Sequence, residues 1–216
     1  MHALVRRVSF ALAALLVFAS IGAAGEVEAQ AQALDRLLAG FRRVPGLSAE
    51  FREEKAIAML REPVVSTGRL YFSPPALLAR HILSPTPSSM VLDGSTLSYG
   101  DARSAEAMDL DANPAARALV DVFRAVLAGD REALLRSFEA SVTEESGGWR
   151  MRLRPKDRSV QRILTSIELT GSGVVLRTID VHEASGDVSR TTFTNVNPNR
   201  RFSRAERRRI FRVGGG

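Results

Sequence analysis

The chain of 216 residues contains no cysteine, one tryptophan, two tyrosines and only three histidines. Without cysteine, the protein can form neither disulfides nor a catalytic thiol. Apart from His2 near the N-terminus, the histidines are His81 and His182, which lack the local spacing of zinc ligands. The fold must therefore rest on its apolar core, and we expect no metal or cofactor.

Motifs of catalysis are also absent. The sequence has no G-x-S-x-G nucleophile elbow and no glycine-rich phosphate loop. Asp109 and Asp111 lack the glycine and the terminal glutamate of a calcium loop. An exported hydrolase that uses His81 or His182 with a serine and an acid is therefore the least favoured function.

The N-terminus has the layout of a secretory signal. Arg6 and Arg7 precede an apolar run over residues 8–21, and small residues follow. The run is shorter than the roughly 20 residues of a membrane-spanning helix. We expect residues 1–24 to be removed, with cleavage after Ala24 or after Ala29, and the exported chain to be soluble.

The formal net charge of +6 is concentrated at the C-terminus. Residues 200–212 contain seven arginines and one acid, Glu206, so residues 25–199 are slightly acidic as a whole. This distribution does not favour nucleic-acid binding. We treat residues 25–199 as one domain and residues 200–216 as an arginine-rich tail.

Two alternatives remain open for the tail. Phe202 and Phe211 could attach it to the body of the protein while the arginines stay in water. Alternatively, Arg207, Arg208 and Arg209 could contact anionic head groups or an acidic partner, since arginines near a membrane surface contribute about 1 kcal/mol each.

Apolar periodicity predicts the first elements of the domain. Leu34, Leu37 and Phe41 form one stripe of a helix over residues 31–44, which Pro45-Gly46 ends. A strand begins at Leu47 and is expected to continue or restart through Ile57 and Met59. Residues 68–100 form a strand meander, because three prolines mark strand ends and Asp93-Gly94 is a strong hairpin signal.

Asn113-Pro114 predicts the start of the first of two amphipathic helices inserted before a second group of strands. In that group, Trp149, Met151 and Leu153 alternate with arginines, as in a half-buried strand. Strands, a helix pair and strands again indicate an α+β fold: one strongly curved antiparallel sheet, or half-barrel, with helices on its concave side.

The order of these pieces resembles the periplasmic outer-membrane lipoprotein carrier family (LolA-like), in particular its divergent members. The matching segments are the first helix, the strand from Leu47, Gly68-Arg-Leu-Tyr-Phe-Ser-Pro-Pro, Val91-Leu-Asp-Gly-Ser-Thr-Leu, the helix pair and Thr192-Phe-Thr-Asn-Val. The resemblance covers nearly the whole exported chain. It implies about eleven strands, a helical lid over a hydrophobic cavity, and a periplasmic location.

The resemblance also implies a function, which is to carry acyl chains of lipoproteins from an inner-membrane transporter to an outer-membrane acceptor. The expected lining of the cavity consists of Phe51, Leu70, Phe72, Leu78, Ile82, Val91, Leu97, Met151, Leu153, Ile167 and Ile179. The expected lid face consists of Leu119, Phe123 and Leu127. A basic residue that often precedes the last proline of the Gly-x-Leu strand in the family is replaced here by Pro74.

The cargo is either a lipoprotein or another acylated or polyene lipid. A transient contact with the membrane surface is compatible with either cargo. The main alternative is a structural or sensory module of the same fold, in which apolar residues fill the core and the surface binds a partner protein.

Overall fold

The computed structural model describes residues 28–101, 103–110 and 114–215. The predicted signal segment, residues 1–24, and Asn113 lie outside these residues. The eleven strands described are β1 (Leu47–Ala56), β2 (Val64–Ser73), β3 (Leu77–Ser84), β4 (Ser88–Asp93), β5 (Thr96–Gly100), β6 (Ala105–Asp109), β7 (Phe138–Glu145), β8 (Gly148–Pro155), β9 (Leu164–Ser172), β10 (Val175–Glu183) and β11 (Val188–Asn197).

The strands form one antiparallel sheet with the order β6-β5-β4-β3-β2-β1-β11-β10-β9-β8-β7. The sheet is not closed into a barrel, because β6 and β7 remain its two edges. This α+β half-barrel confirms the predicted fold class. One detail is wrong: β1 ends at Ala56, and Met59 lies in the loop that follows it.

Five helices accompany the sheet in the described part of the chain. They are α1 (28–41), α2 (Pro114–Ala128), α3 (Arg131–Ser137), α4 (Arg158–Gln161) and α5 (Arg204–Ile210). No helix among the described residues has the length and apolar character needed to cross a membrane.

Alternation along the strands gives the sheet two different faces. In β8, Trp149, Met151 and Leu153 are buried on the inner face, whereas Arg150 and Arg152 are exposed on the outer face. Helix α1 covers part of the inner face, and the ring of Phe41 lies 6.1 Å from the ring of Trp149. The main core lies between this face and the helices.

Helices α2 and α3 connect the two edge strands. Helix α2 begins at Pro114 and ends at Ala128. The next residue, Gly129, has a φ of 65°, a value that favours glycine. Asp130 then caps α3 by accepting a hydrogen bond from Ala133 N. Because β6 precedes α2 and β7 follows α3, the helix pair spans the distance between the two edges.

Helix α5 lies on the outer face. Ser203 and Glu206 form a capping box at its N-terminus. Ile210 is buried against Ala79 and Val91 of the sheet, and the ring of Phe202 packs on the rings of Tyr71 and Phe211. The C-terminal segment is thus attached through its apolar residues, as the first of the two alternatives predicts.

Candidate ligand-binding cavity

A cavity of about 320 Å³ lies between the inner face of the sheet and helix α2. Its walls come from β1–β5, β10 and β11, and Val120 and Phe123 of α2 close it from above. The other apolar side chains that line it are Phe51, Leu70, Leu78, Met90, Leu92, Leu97, Ile179, Val181 and Phe193. The cavity can therefore receive an apolar group of one slender ligand.

The cavity opens toward one end of the sheet. Along β1, the inner-face residues change from buried Phe51 to partly exposed Glu53 and Lys55. On β10, Ile179 is buried, whereas Glu183 is partly exposed. The apolar floor and the polar mouth therefore follow from the position of each residue along its strand.

Two ion pairs occupy the mouth. Lys55 Nζ donates to Glu183 Oε1 over 2.7 Å, and this hydrogen bond raises the pKa of the lysine above its usual value, although burial opposes the shift. Arg80 Nη2 lies 3.0 Å from Glu53 Oε2, at an angle that does not make a hydrogen bond. Charges of both signs thus surround the entrance.

The Arg80 guanidinium also lies over the ring of Phe51, 4.4 Å from the centroid. A cation on an aromatic face is favourable, more so where water is partly excluded. Thr191 Oγ1 donates to Glu53 Oε2 over 3.1 Å. These contacts fix the polar side chains above the apolar floor.

Described side chains of helix α2 attach it to the first half of the sheet above the cavity. Val120 packs in a small cluster with Leu92, Leu97 and Leu110. Arg124 Nη1 donates to the carbonyl of Gly94 over 3.3 Å, which connects the helix to the β4–β5 turn. These contacts attach the helix to the sheet.

Six residues of the predicted set line this cavity. Five belong to the sheet and one to the helix: Phe51, Leu70, Leu78, Leu97, Ile179 and Phe123. The structure brings these residues together from β1, β2, β3, β5, β10 and α2.

Other predicted residues lie in the packed core and do not line the cavity. Phe72, Met151, Leu153, Ile167 and Leu127 are buried in the main core, and Ile82 is partly buried against it. The sequence pattern assigns these residues to the apolar face of an element but does not reveal whether a helix covers them. The side chain of Leu119 lies outside the described part of the structure.

Val91, which the sequence places in the lining, does not border this cavity. Met90 and Leu92 line the cavity, so Val91 between them points to the outer face, where it contacts Ile210 of α5. In a continuous apolar run, hydrophobicity alone does not distinguish the two faces, and here both faces are buried.

The sequence analysis missed the charged mouth formed by Glu53, Lys55, Arg80 and Glu183. The alternation that places Phe51 on the inner face also places Glu53 and Lys55 there, two and four residues later. Extending the alternation along β1 would therefore have found two of the four residues.

His81 has a structural role. Its side chain is 1% exposed, and its Nε2 lies 2.9 Å from the carbonyl of Ile210. A carbonyl only accepts, so Nε2 carries the proton and Nδ1 accepts from Ser89 Oγ at 2.8 Å. Both ring nitrogens are thus occupied within a buried network, which does not favour a hydrolase at this histidine.

Burial lowers the pKa of His81, the hydrogen bond to Ile210 opposes this shift, and Arg69 adds to it. Ser89 Oγ also accepts from Gly214 N over 3.1 Å. Among the described residues, no group of three or more histidine, aspartate or glutamate side chains is arranged to hold a metal ion.

Arg207, Arg208 and Arg209 are exposed on α5. They lie on the element that packs against the outer face, whereas the cavity is on the inner face. Their predicted contact with a membrane or partner remains a prediction.

The half-barrel with an apolar cavity under a helical lid defines a class of carriers and binding modules. Residues 42–206 match the family model described as outer membrane lipoprotein carrier protein LolA. Because the match covers most of the chain, the protein belongs to this family. No curated protein is significantly similar to it in sequence.

Several solved structures are similar to the chain. A LolA superfamily protein from Nitrosomonas europaea is 11% identical with a TM-score of 0.46, over 85% of this chain and 97% of that one. A domain from Vibrio parahaemolyticus, described as outer membrane lipoprotein-sorting protein, is 8% identical with a TM-score of 0.49, over 80% and 94%. MucB in the MucA/MucB complex from Pseudomonas aeruginosa is 16% identical with a TM-score of 0.45, over 80% and 58%.

Proposed function

We propose that this protein is a non-enzymatic periplasmic carrier. It binds an acyl chain of a lipoprotein, or of another lipid, in the cavity under α2 and carries it toward the outer membrane. An inner-membrane transporter and an outer-membrane acceptor are the partners that the family suggests. Membership of the lipoprotein carrier family supports this proposal.

The observation that carries the proposal is the combination of an apolar floor with a charged mouth. Each methylene group that leaves water contributes about 0.8 kcal/mol, so an acyl chain gains from the floor around Phe51, Leu70 and Ile179. The polar part of the ligand meets Lys55, Glu183 and neighbouring charges at the entrance. Such a cavity shields a chain from water without covalent chemistry.

The cavity volume restricts the cargo. About 320 Å³ lies near the lower end of the roughly 300–1,000 Å³ that is usual for ligand sites. A lipid with several chains therefore requires α2 to move away from the sheet. Such a movement breaks the contacts of Val120 and Arg124 with the β4–β5 region. It also disturbs the part of the main core that α2 supplies through Val122, Ala125 and Val126.

Two adjacent threonines of β11 allow a matched test. Thr191 lines the cavity, whereas Thr192 is exposed on the outer face. The protein purified from its host is analysed by native mass spectrometry for bound lipid and titrated with a fluorescent fatty acid. We expect Thr191→Trp to abolish uptake by filling the cavity and Thr192→Trp to bind as the unmodified protein does.

Circular dichroism and thermal unfolding of both variants establish that they are folded. A protein without bound lipid that also takes up no fatty acid would contradict the proposal. Uptake that survives Thr191→Trp would place lipid binding outside this cavity.

The small volume favours a second candidate, a non-enzymatic module that binds a partner protein through its surface. In that case no lipid accompanies the purified protein, and Thr191→Trp leaves partner binding unchanged.

A further inference from the structure

Six large apolar side chains are exposed among the described residues, and four of them lie at one end of the sheet; the other two are Leu83 of β3 and Met90 of β4. Met59 is 94% exposed, Leu60 52%, Val64 47% and Ile163 46%. Met59 and Leu60 lie in the β1–β2 loop, Val64 begins β2, and Ile163 precedes β9. We call these four residues the apolar rim.

Strand register places the members of the apolar rim at the same end. Lys55 of β1 pairs with Val64 of β2 on one side and with Ser189 of β11 on the other. Glu183, at the end of β10, pairs with Leu164, the residue after Ile163. The β1–β2 loop, the β10–β11 turn and the start of β9 are therefore neighbours.

Hydrogen bonds join these segments into one surface. Ala58 N donates to Asp187 Oδ1 over 3.0 Å, which connects the β1–β2 loop to the β10–β11 turn. Ala184 N donates to the carbonyl of Ile163 over 2.9 Å, which connects the same turn to the start of β9. The apolar rim thus has a fixed position relative to the sheet.

The apolar rim also adjoins the mouth of the cavity. Lys55 and Glu183 form the ion pair at the mouth. Lys55 is the next-to-last residue of β1, beside the β1–β2 loop, and Glu183 is the last residue of β10, beside the β10–β11 turn. A chain that leaves the cavity at this end meets the apolar rim next.

We propose that the apolar rim inserts into the surface of a phospholipid bilayer, so that the cavity opens onto the membrane. With this contact, an acyl chain moves directly between the cavity and the bilayer and does not cross water. This benefit for cargo transfer rests on the proposed carrier function. Met59 and Leu60 would lie among the acyl chains, and the adjacent Arg61 and Glu62 at the level of the head groups.

A bilayer fits the observations better than a protein partner does. Met59 projects from a hairpin loop with almost no contact to the rest of the protein. A protein partner would need a hollow complementary to this loop, whereas fluid acyl chains rearrange around it. The exposed arginines of α5 lie on the outer face and belong to a different surface.

Flotation with vesicles tests the inference. The protein is mixed with phosphatidylcholine vesicles, and separately with vesicles that also contain phosphatidylglycerol. We expect binding to both, a decrease of about tenfold or more for Met59→Ser/Leu60→Ser, and full binding for Met59→Leu/Leu60→Met, which keeps the surface apolar. Leu60→Trp should shift its fluorescence to shorter wavelengths when vesicles are added, because the indole enters an apolar layer.

Three results would overturn the inference: no binding to either type of vesicle, binding that Met59→Ser/Leu60→Ser leaves unchanged, or binding to anionic vesicles alone that Arg207→Ala/Arg208→Ala/Arg209→Ala removes. The last result would identify α5 as the contact surface. If vesicle binding depends on Met59 and Leu60 but the protein takes up no fatty acid, the inference stands and the carrier function fails.

Discussion

Replacing His81 with leucine tests whether this residue holds the C-terminal segment on the sheet. The imidazole joins β3 to Ser89 of β4 and to the carbonyl of Ile210 at the end of α5. Leucine has a similar volume and makes neither hydrogen bond. Ser89 Oγ keeps its bond from Gly214 N, but the carbonyl of Ile210 loses a partner in a buried region.

The expected loss of stability is about 2–4 kcal/mol. A hydrogen bond contributes about 1 kcal/mol net, and an unsatisfied buried group costs about 1–3 kcal/mol. If α5 detaches as a local unit, this loss increases the population of the detached state roughly 30- to 1,000-fold, since 1.4 kcal/mol is a factor of ten.

Trypsin measures the detachment because the segment contains arginines at 200, 201, 204, 207, 208, 209 and 212. Mass spectrometry of limited digests gives the rate of cleavage after these arginines, and thermal unfolding gives the global stability. We expect His81→Leu to accelerate cleavage of the segment roughly 30- to 1,000-fold. Cleavage in the segment should precede cleavage in the sheet. A variant that unfolds at lower temperature while its C-terminal segment remains as protected as before would refute this reasoning.

The lowered pKa of His81 predicts that the stability of the protein depends on pH. The pKa of His81 in the folded protein lies below its usual value of 6.5, so the unfolded chain binds more protons between the two values. The contribution of neutral His81 is therefore present above pH 6.5 and is lost as the pH falls through the folded-state pKa. His81→Gln, which keeps a donor for Ile210 but does not titrate, should show a smaller decrease in stability from pH 8 to pH 5. Equal decreases would contradict the assignment.

Two further predictions concern a glycine and the arginines of α5. Gly68→Ala should destabilise the protein by about 3 kcal/mol in urea unfolding, because a Cβ there would lie 2.0 Å from the carbonyl of His81 and 2.7 Å from Phe51. Gly94→Ala, which meets no atom within 4 Å but has a φ of 59°, should cost only about 1 kcal/mol, and equal losses would contradict the steric argument. If the arginines of α5 contact anionic head groups in addition to the apolar rim, Arg207→Ala/Arg208→Ala/Arg209→Ala should weaken binding to anionic vesicles at low salt without lowering the melting temperature; unchanged vesicle binding with a lower melting temperature would instead indicate a structural role.

Local sequence patterns determined the elements and much of their order. The stripe of Leu34, Leu37 and Phe41 specifies α1, and the alternation from Trp149 to Leu153 specifies β8. Prolines and glycines, such as the turn at Gly94, set the strand ends. These features are readable because helices and strands repeat at fixed periods and because turn residues have restricted dihedral angles.

Tertiary structure decided which apolar positions line the cavity. Phe51 and Met151 both lie on the inner face of a strand, but Phe51 borders the cavity, whereas Met151 is buried within the main core. Alternation gives the face of a residue but not the helix that packs over it.

Alternation along a strand also does not reveal which positions of the outer face are buried. Val91 appears in an apolar run, and only the docking of Ile210 from the far end of the chain explains why its outward position is buried. The charged mouth likewise requires the approach of β1, β3 and β10, which brings Lys55 to Glu183 and Glu53 to Arg80. The sequence by itself determined the elements and the class of fold, because these depend on local periodicity. The cavity, its mouth and the attachment of the C-terminal segment at His81 were decided by tertiary structure alone, because they depend on contacts between residues far apart in the chain.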